Sequence, residues 1–385
     1  VRSLRVLLSA RDPAGAALLA AVVPALRATD DLAVELAASP PAWEELIDAG
    51  ERPARFTLRD GATAVDAGGD PRALLEAADA LLARVDPHAV LVTISSFGVG
   101  LDEALLARAS GRPTFALQDY PGDANAIGGI HAGTYFVRDE AAAALTRRRW
   151  GVSATPVGSL RHAPYAHLDV AHLRTEARAR AGAVDDRPLI GFFAQPPEVP
   201  GHDGAFADLV TALGTLPTSP LVLLRGHPKQ PDAAAAYAAR LAAAGLAVHD
   251  ATGEGPAEPW LAACDLVTTC YSTCGIDYAF LSARSPRPLG SVLFLLTRAE
   301  TRDFLARYAG VRSPDGAGAG LGRVAERAED LPRLLRDALA PANAAAYHAA
   351  SLRLPRSARL DVVVDAVRAA ARGAAARNAS RPVVS

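Results

Sequence analysis

The sequence predicts a two-lobed α/β protein with mostly parallel sheets, and three observations carry that expectation. The chain has 385 residues, which at about 150 residues per domain suggests two domains. Half of the residues are hydrophobic and 21% are charged, enough apolar surface for two sizeable cores. Short β-branched runs alternate with Ala/Leu-rich stretches almost throughout, the pattern of successive βαβ units. Two such series, separated by a break over 159–186, make each lobe Rossmann-like.

The first series places strands at 4–9, 32–37, 89–94, 113–117 and 134–137, with helices at 16–28, 71–85 and 100–109. Pro71 suits a first helical turn. Leu74, Leu75, Ala78, Leu81, Leu82 and Val85 then fall on one helical face. Arg147, Arg148 and Arg149 end a further helix, where cations meet the negative end of its dipole. The second series places strands at 189–193, 221–224, 247–249, 266–269 and 292–295, with helices at 205–213, 233–244, 259–264 and 275–281. The intervening segment holds Pro, His and a charged helix-like stretch and reads as the lobe connection. Helices near 331–338 and 358–372 close the chain. The domains expected are therefore 1–165, 166–345, closing helices over 346–373 that pack back towards the first lobe, and a disordered tail over 374–385. The run 316–322 has glycines at alternate positions, follows no clear strand and reads as a flexible loop.

Composition excludes several classes. Net charge is -2, so no basic excess exists to neutralise a polyanion, and nucleic acid is not an expected partner. No apolar run approaches the roughly 18 residues of a membrane span, so stable membrane insertion is not expected either. The stretch 4–8 runs into Ser-Ala-Arg-Asp and reads as a first strand, not a leader. The cysteines are Cys264, Cys270 and Cys274. Their odd count without an export signal predicts reduced thiols in the cytoplasm, acting as small apolar residues. They lack a fourth ligand at zinc-ribbon spacing, so no metal is expected. Of 40 basic residues all but Lys229 are Arg, and Gln occurs only at 118, 195 and 230. Residues this scarce mark positions where Arg or Ala does not serve.

Open parallel sheets bind ligands beyond the carboxyl ends of their strands, so the turns there carry the candidate chemistry. Arg225-Gly226-His227-Pro228-Lys229 directly follows a strand and sets three potential cations within five residues, suited to a diphosphate. A second strand runs into Cys270-Tyr271-Ser272-Thr273-Cys274-Gly275, where hydroxyls and free backbone N–H groups at a helix start can hold phosphate or simply cap the helix. Gln195 follows the first strand of the second lobe and is a further candidate for contact with nucleotide or sugar. In the first lobe, Gln118-Asp119-Tyr120-Pro121-Gly122-Asp123 offers two carboxylates in a shaped loop, and His131 follows. Asp119, Asp123 or His131 is the candidate general base. Arg11 and Asp12 occupy the first turn and are candidate substrate contacts, unless Asp12 simply caps the helix that Pro13 opens. The hydroxyl-rich turn 93–100 could bind an acceptor, but reads more readily as close packing. There is no Asp-x-Asp, no P-loop and no Gly-x-Ser-x-Gly elbow.

A His-Pro turn followed some 40 residues later by an acid-strand-Tyr-Ser-Thr-helix segment resembles the donor lobe of GT-B-fold transferases. The group resembled is that of the CDP-glycerol glycerophosphotransferases and bacterial capsule-polymer glycosyltransferases, with the non-hydrolysing UDP-N-acetylglucosamine 2-epimerases as more distant relatives. The likeness is specific over about 221–296 and otherwise fold-level. It implies that His227, Ser272 and Thr273 contact the donor's phosphates. Thr273 stands where the group has a second Ser, and Cys270 where an Asp is common. The turn Gly158-Ser159-Leu160-Arg161-His162 resembles the group's Gly-Ser/Thr-Pro-Arg turn, with Leu160 in place of Pro. The expectation is thus a GT-B-like, metal-independent glycosyltransferase with a nucleotide sugar as donor substrate, no separate cofactor, and an acceptor on the first lobe across a cleft. A nucleotide-sugar epimerase or hydrolase, or a CDP-polyol phosphotransferase, is the alternative. The electrostatic idea is an imidazole on one turn and a hydroxyl-lined helix start on its neighbour, neutralising a phosphate pair without metal.

Overall fold

A computed structural model describes residues 3–58, 61–66, 69–94, 97–183, 187–228 and 230–379, with side chains to 377. The chain forms two compact units, one made of Val1–Ala163 with Pro355–Ser385, the other of Pro164–Leu354.

The first unit runs β1 (Leu4–Ala10), α1 (Pro13–Arg27), β2 (Leu32–Ala38), α2 (Ala42–Asp48), β3 (Ala54–Arg55), β4 (Ala64–Val65), α3 (Arg72–Val85), β5 (Ala89–Ile94), β6 (Val99–Gly100), α4 (Leu101–Arg108), β7 (Thr114–Gln118), β8 (Thr134–Val137), α5 (Glu140–Trp150) and β9 (Ser153–Pro156). Its main sheet has the order β3-β2-β1-β5-β7-β8-β9, and every pair is parallel. A small antiparallel pair joins β4 to β6. All six residues of β5 are buried, as a strand covered by helices on both faces must be. Pro13 and the Asp12 cap open α1. Leu74, Ala78 and Leu82 form the buried stripe of α3.

The second unit runs α6 (Val170–Arg180), β10 (Leu189–Phe193), α7 (His202–Leu213), β11 (Leu221–Arg225), α8 (Ala233–Ala243), β12 (Ala247–Asp250), α9 (Glu258–Ala263), β13 (Leu266–Thr269), α10 (Cys274–Arg284), β14 (Ser291–Leu295), α11 (Ala299–Ala309), β15 (Arg323–Ala325), α12 (Leu331–Leu339) and α13 (Pro341–Ser351). Its sheet order is β12-β11-β10-β13-β14-β15, again parallel throughout. In both units the chain winds outward on one side of its first strand and then crosses to the other, so each sheet has a point where strand order reverses. The last helix, α14 (Leu360–Ala379), returns to the first unit. Its Val363, Val367 and Ala371 are fully buried among Leu4, Leu8 and Leu19. Asp31 accepts from Arg368 and Arg372 on the same helix, both at 2.8 Å.

Several expectations change. The closing helix continues to Ala379, where the sequence suggested a disordered tail after 373; residues 380–385 lie outside the described residues. The glycine run is a defined 3₁₀ turn, Ala317–Ala319, between two left-handed glycines, and leads into β15. The helices α2 and α11 and the short strands β3, β4, β6, β9 and β15 were not anticipated. Of the cysteines, Cys264 and Cys270 are buried, and burial pushes both thiols up, Cys270 to about 12. Among the described residues no helix is long and apolar enough to cross a membrane.

Candidate functional site

In the second unit the strand order reverses between β10 and β13, and the turns leaving β10, β11 and β13 lie side by side. Gln195, two residues past β10, is buried and sits at that reversal. In the amide orientation that satisfies both of its ends, its carbonyl oxygen accepts from the Thr269 hydroxyl (2.8 Å), the Tyr271 N–H (3.1 Å) and the Ser272 N–H (2.8 Å). This corrects the expectation of a row of free amides at the start of α10. The Cys274 N–H donates to Ser272 Oγ at 3.3 Å, and the Gly275 N–H donates to the Ser272 carbonyl at 3.1 Å. Gly275 has a packing role instead: an added Cβ would lie 2.8 Å from the Phe294 ring. What α10 offers an anion is therefore its dipole and the hydroxyls of Ser272 and Thr273, both half-buried at its first turn. The buried Tyr271 ring backs this turn.

On the other side of β10, Arg225 does not behave as the expected phosphate cation. Its guanidinium donates to the carbonyls of Ala251 and Gly255 and braces the loop after β12. Burial is the main influence on it and lowers its pKa. The Gly226 N–H donates to Thr252 Oγ1 at 2.7 Å, which ties the same loop to the turn. That leaves His227, half-buried just beyond Gly226, as the turn's titratable group; Lys229 lies outside the described residues. The two turns expected to bind phosphate are not neighbours. They leave β11 and β13, which flank β10, so at ~4.8 Å per strand their origins are roughly 10 Å apart. Gln195 follows the strand between them and is bonded to the β13 side.

In the first unit the carboxyl edge gathers Asp12, Gln118, Asp119 and Asp123, whereas His131 stands ahead of β8, beside residues that pair with the start of β7. Asp12 Oδ1 accepts from the Gly15 N–H at 2.9 Å and so caps α1. Gln118, the last residue of β7, braces its loop by donating to the Asp123 carbonyl at 2.6 Å and accepting from the Gly122 N–H at 3.3 Å. Asp119 pairs with Arg161 at 3.1 Å, which joins the 158–162 turn to the β7 turn. Asp123 is only 2% exposed, whereas Asp119 is half-buried. His131 stacks against Trp150, centroids 5.1 Å apart, and burial lowers its pKa.

The same edge holds a group of which sequence reasoning singled out only Arg11 and Asp12, and missed Asp102 and Glu103. Arg11 is buried and donates to the Phe97 carbonyl at 2.9 Å, with Glu103 Oε1 at 3.5 Å. Burial opposes its charge, but Glu103, Asp102, Asp12 and Asp123 together raise its pKa. Asp102 is fully buried beside Glu103, and these two effects push its pKa up to about 8 in spite of Arg11. Glu103 Oε2 accepts from the Gly100 N–H at 2.7 Å, closing the first turn of α4. Gly100 is required there, since a Cβ would lie 2.6 Å from the Arg11 stem. The signal was present as Gly100-x-x-Glu103, the spacing at which an acid reaches back to a helix start. Ser95 and Ser96 of the adjoining turn lie outside the described residues. Among the described residues no three His, Cys, Asp or Glu side chains are grouped to hold a metal ion.

Two doubly wound parallel sheets in one chain, each with its polar groups on the carboxyl edge, define a GT-B-like fold. Solved structures agree. The chain is similar to S. aureus MnaA in a co-structure with UDP (TM-score 0.68, 12% identity, covering 95% of this chain and 96% of that one). It is similar to the UDP-GlcNAc 2-epimerase of Neisseria meningitidis bound to UDP-GlcNAc (TM-score 0.68, 11% identity, covering 95% and 100%). Acinetobacter baumannii MurG is a third (TM-score 0.56, 14% identity, covering 95% and 99%). No family model matches the chain, and no curated protein matches its sequence.

Proposed function

We propose that this chain is a metal-independent, cytoplasmic glycosyltransferase that moves a sugar from a nucleotide-sugar donor to a small-molecule or glycan acceptor. The observation that supports it most is the grouping of His227, Gln195, Ser272 and Thr273 around the strand-order reversal of the second unit, where open α/β sheets take phosphorylated ligands. In this reading His227 and the Ser272 and Thr273 hydroxyls hold the donor's phosphates. Ser272 Oγ accepts from Cys274, so its own hydrogen is available to a phosphate oxygen. The dipole of α10 and the imidazole offset charge on the departing diphosphate. The first unit binds the acceptor, and Asp119 or Asp123 takes its proton.

A thermal-shift panel of UDP, CDP, GDP, dTDP and their sugars tests this. One of them should stabilise the protein, and His227→Ala should abolish that shift while leaving the fold intact. Charge-assisted hydrogen bonds of about 1.5–3 kcal/mol correspond to roughly 10- to 100-fold weaker binding. An undiminished shift in the variant rejects the assigned phosphate site. A preference for CDP compounds would favour polyol-phosphate transfer.

A second reading, epimerisation at C2 of the sugar, has its own support. One of the similar structures is a UDP-GlcNAc 2-epimerase bound to UDP-GlcNAc, and the buried acids Asp102 and Glu103 add carboxylates at the first unit's edge. Incubation with a nucleotide sugar and no acceptor separates the two: an epimer or a free sugar supports the second reading, and an unchanged donor the first.

A further inference from the structure

The first unit buries charge on the edge where sheets of this kind take their ligands. Arg11 directly follows β1 and is only 5% exposed. Asp12, Asp102, Glu103 and Asp123 all act on its guanidinium, and each of them is buried too. Part of the cover is the short segment 61–66. Its Ala64 and Val65 (β4) pair antiparallel with Gly100 and Val99 (β6), at the turn that leaves β5 and opens α4. Two glycines let the segment seat this closely. Gly98 has a φ of +73°, and a Cβ there would lie 2.5 Å from the Val65 carbonyl oxygen. A Cβ on Gly100 would meet the Thr63 carbonyl oxygen at 3.0 Å as well as the Arg11 stem, so segment and arginine come together at that residue.

The segment is lightly held. Its ladder to β6 is two residues long. Gly61 and Asp66 are exposed and the four residues between them are half-buried. Among residues 61–66 Val65 alone packs against the apolar core beneath. Stretches with so few buried contacts open far more readily than the core does. Lifting this one leaves the arginine in place, because its bond to the Phe97 carbonyl and its pairing with Glu103 do not involve the segment.

We propose that residues 61–66 form a lid over Arg11, seated in this structure, and that its release from β6 opens the first unit's carboxyl edge to substrate. The inference rests on the reading in which that edge binds the acceptor. It gives the buried charges a use: Arg11 and the carboxylates gathered around it, Asp123 among them, are built beforehand and shielded from water until the lid moves.

A cross-link in the full chain tests this. Val65 and Val99 face each other across the antiparallel pair, within reach of a disulfide. Val65→Cys combined with Val99→Cys is therefore locked by oxidation and released by dithiothreitol. Reaction of Arg11 with phenylglyoxal, followed by mass spectrometry of its peptide, needs no ligand. It should proceed in the native chain and the reduced double variant and stop in the oxidised one. Val65→Gly removes the segment's apolar anchor and should react faster than the native chain. Equal rates in the oxidised and reduced forms, or in Val65→Gly and the native chain, overturn the proposal. Turnover of the nucleotide sugar gives the second readout. Oxidation should remove most of it and dithiothreitol restore it, with the same nucleotide thermal shift in both states. Normal turnover in the oxidised form also overturns the proposal. If Arg11 reacts as stated but the native chain turns over no nucleotide sugar, the reading of the reaction fails and the lid stands.

Discussion

Gln195 decides how the start of α10 can meet an anion. It takes two backbone N–H groups that would otherwise face the ligand edge, so the turn is rigid before anything binds. Gln195→Ala leaves both donors without a partner and should cost about 1–3 kcal/mol, read as a lower Tm. Gln195→Glu keeps the acceptor oxygens, so it should be the more stable of the two variants. It adds a negative charge beside the proposed phosphate site, so its nucleotide-induced shift should be smaller than the native protein's. Asp102 makes a prediction of a different kind. Its native pKa of about 8 lies above the unfolded value near 3.9, so between those pH values the folded chain binds more protons than the unfolded one. Stability on its account is full below about pH 4, falls as pH rises, and levels off above about 8. Asp102→Asn should flatten that slope, measured by denaturant unfolding from pH 5 to 9. An unchanged slope would show that Asp102 is ionised in the native state.

Among the elements, α6 shows how a helix at the start of a unit is secured. Arg174 and Arg178 both pair with Asp265, which also accepts from the Leu189 N–H at 2.8 Å. One carboxylate thus ties α6 to the beginnings of β10 and β13. Asp265→Ala should destabilise the second unit by about 2 kcal/mol, roughly 4–8 °C in Tm for a unit of this size. Each arginine also donates to carbonyls of 262–264, so the helix should stay docked. The elements that sequence reading recovered best are those whose pattern is set by burial. The strands 89–94, 134–137, 189–193 and 266–269 coincide with the structure to the residue, because a short apolar run between turn signals has few other uses. The elements it missed take their pairing from distant chain. The strand β15 has three residues and one buried side chain, and β9 carries a Pro at the sheet edge. Neither has enough period of its own to be recognised.

At the scale of the whole molecule the two doubly wound units were legible from alternation alone, and so were the strand ends that carry candidate residues. What each side chain does there was not. Arg225 appeared to be a ligand cation because its partners, the carbonyls of Ala251 and Gly255, belong to a loop no local pattern predicts. Gln195 meets Thr269 across 74 residues, and a strand-order reversal lies between His227 and Ser272 where adjacency in sequence suggested neighbouring turns. The units also differ in how they are made. The second is one continuous stretch, Pro164–Leu354, while the first is completed by a return segment. Expressed separately, 164–354 should fold and retain the nucleotide-induced shift. The piece 1–163 should not fold, since it lacks the buried valines of α14, worth about 1.5–3 kcal/mol each; circular dichroism and thermal melts decide both.

The return of α14 bears on how the protein is born. A ribosome releases the chain from its amino end, and domains ordinarily fold in that order. Here the sheet that emerges first must wait for a helix ending at Ala379, so the later-made unit is free to reach its native state before the earlier one. Until α14 has been made, the nascent amino-terminal half carries the uncovered face to which Val363 and Val367 belong, and it is over this interval that a chaperone would find most to hold.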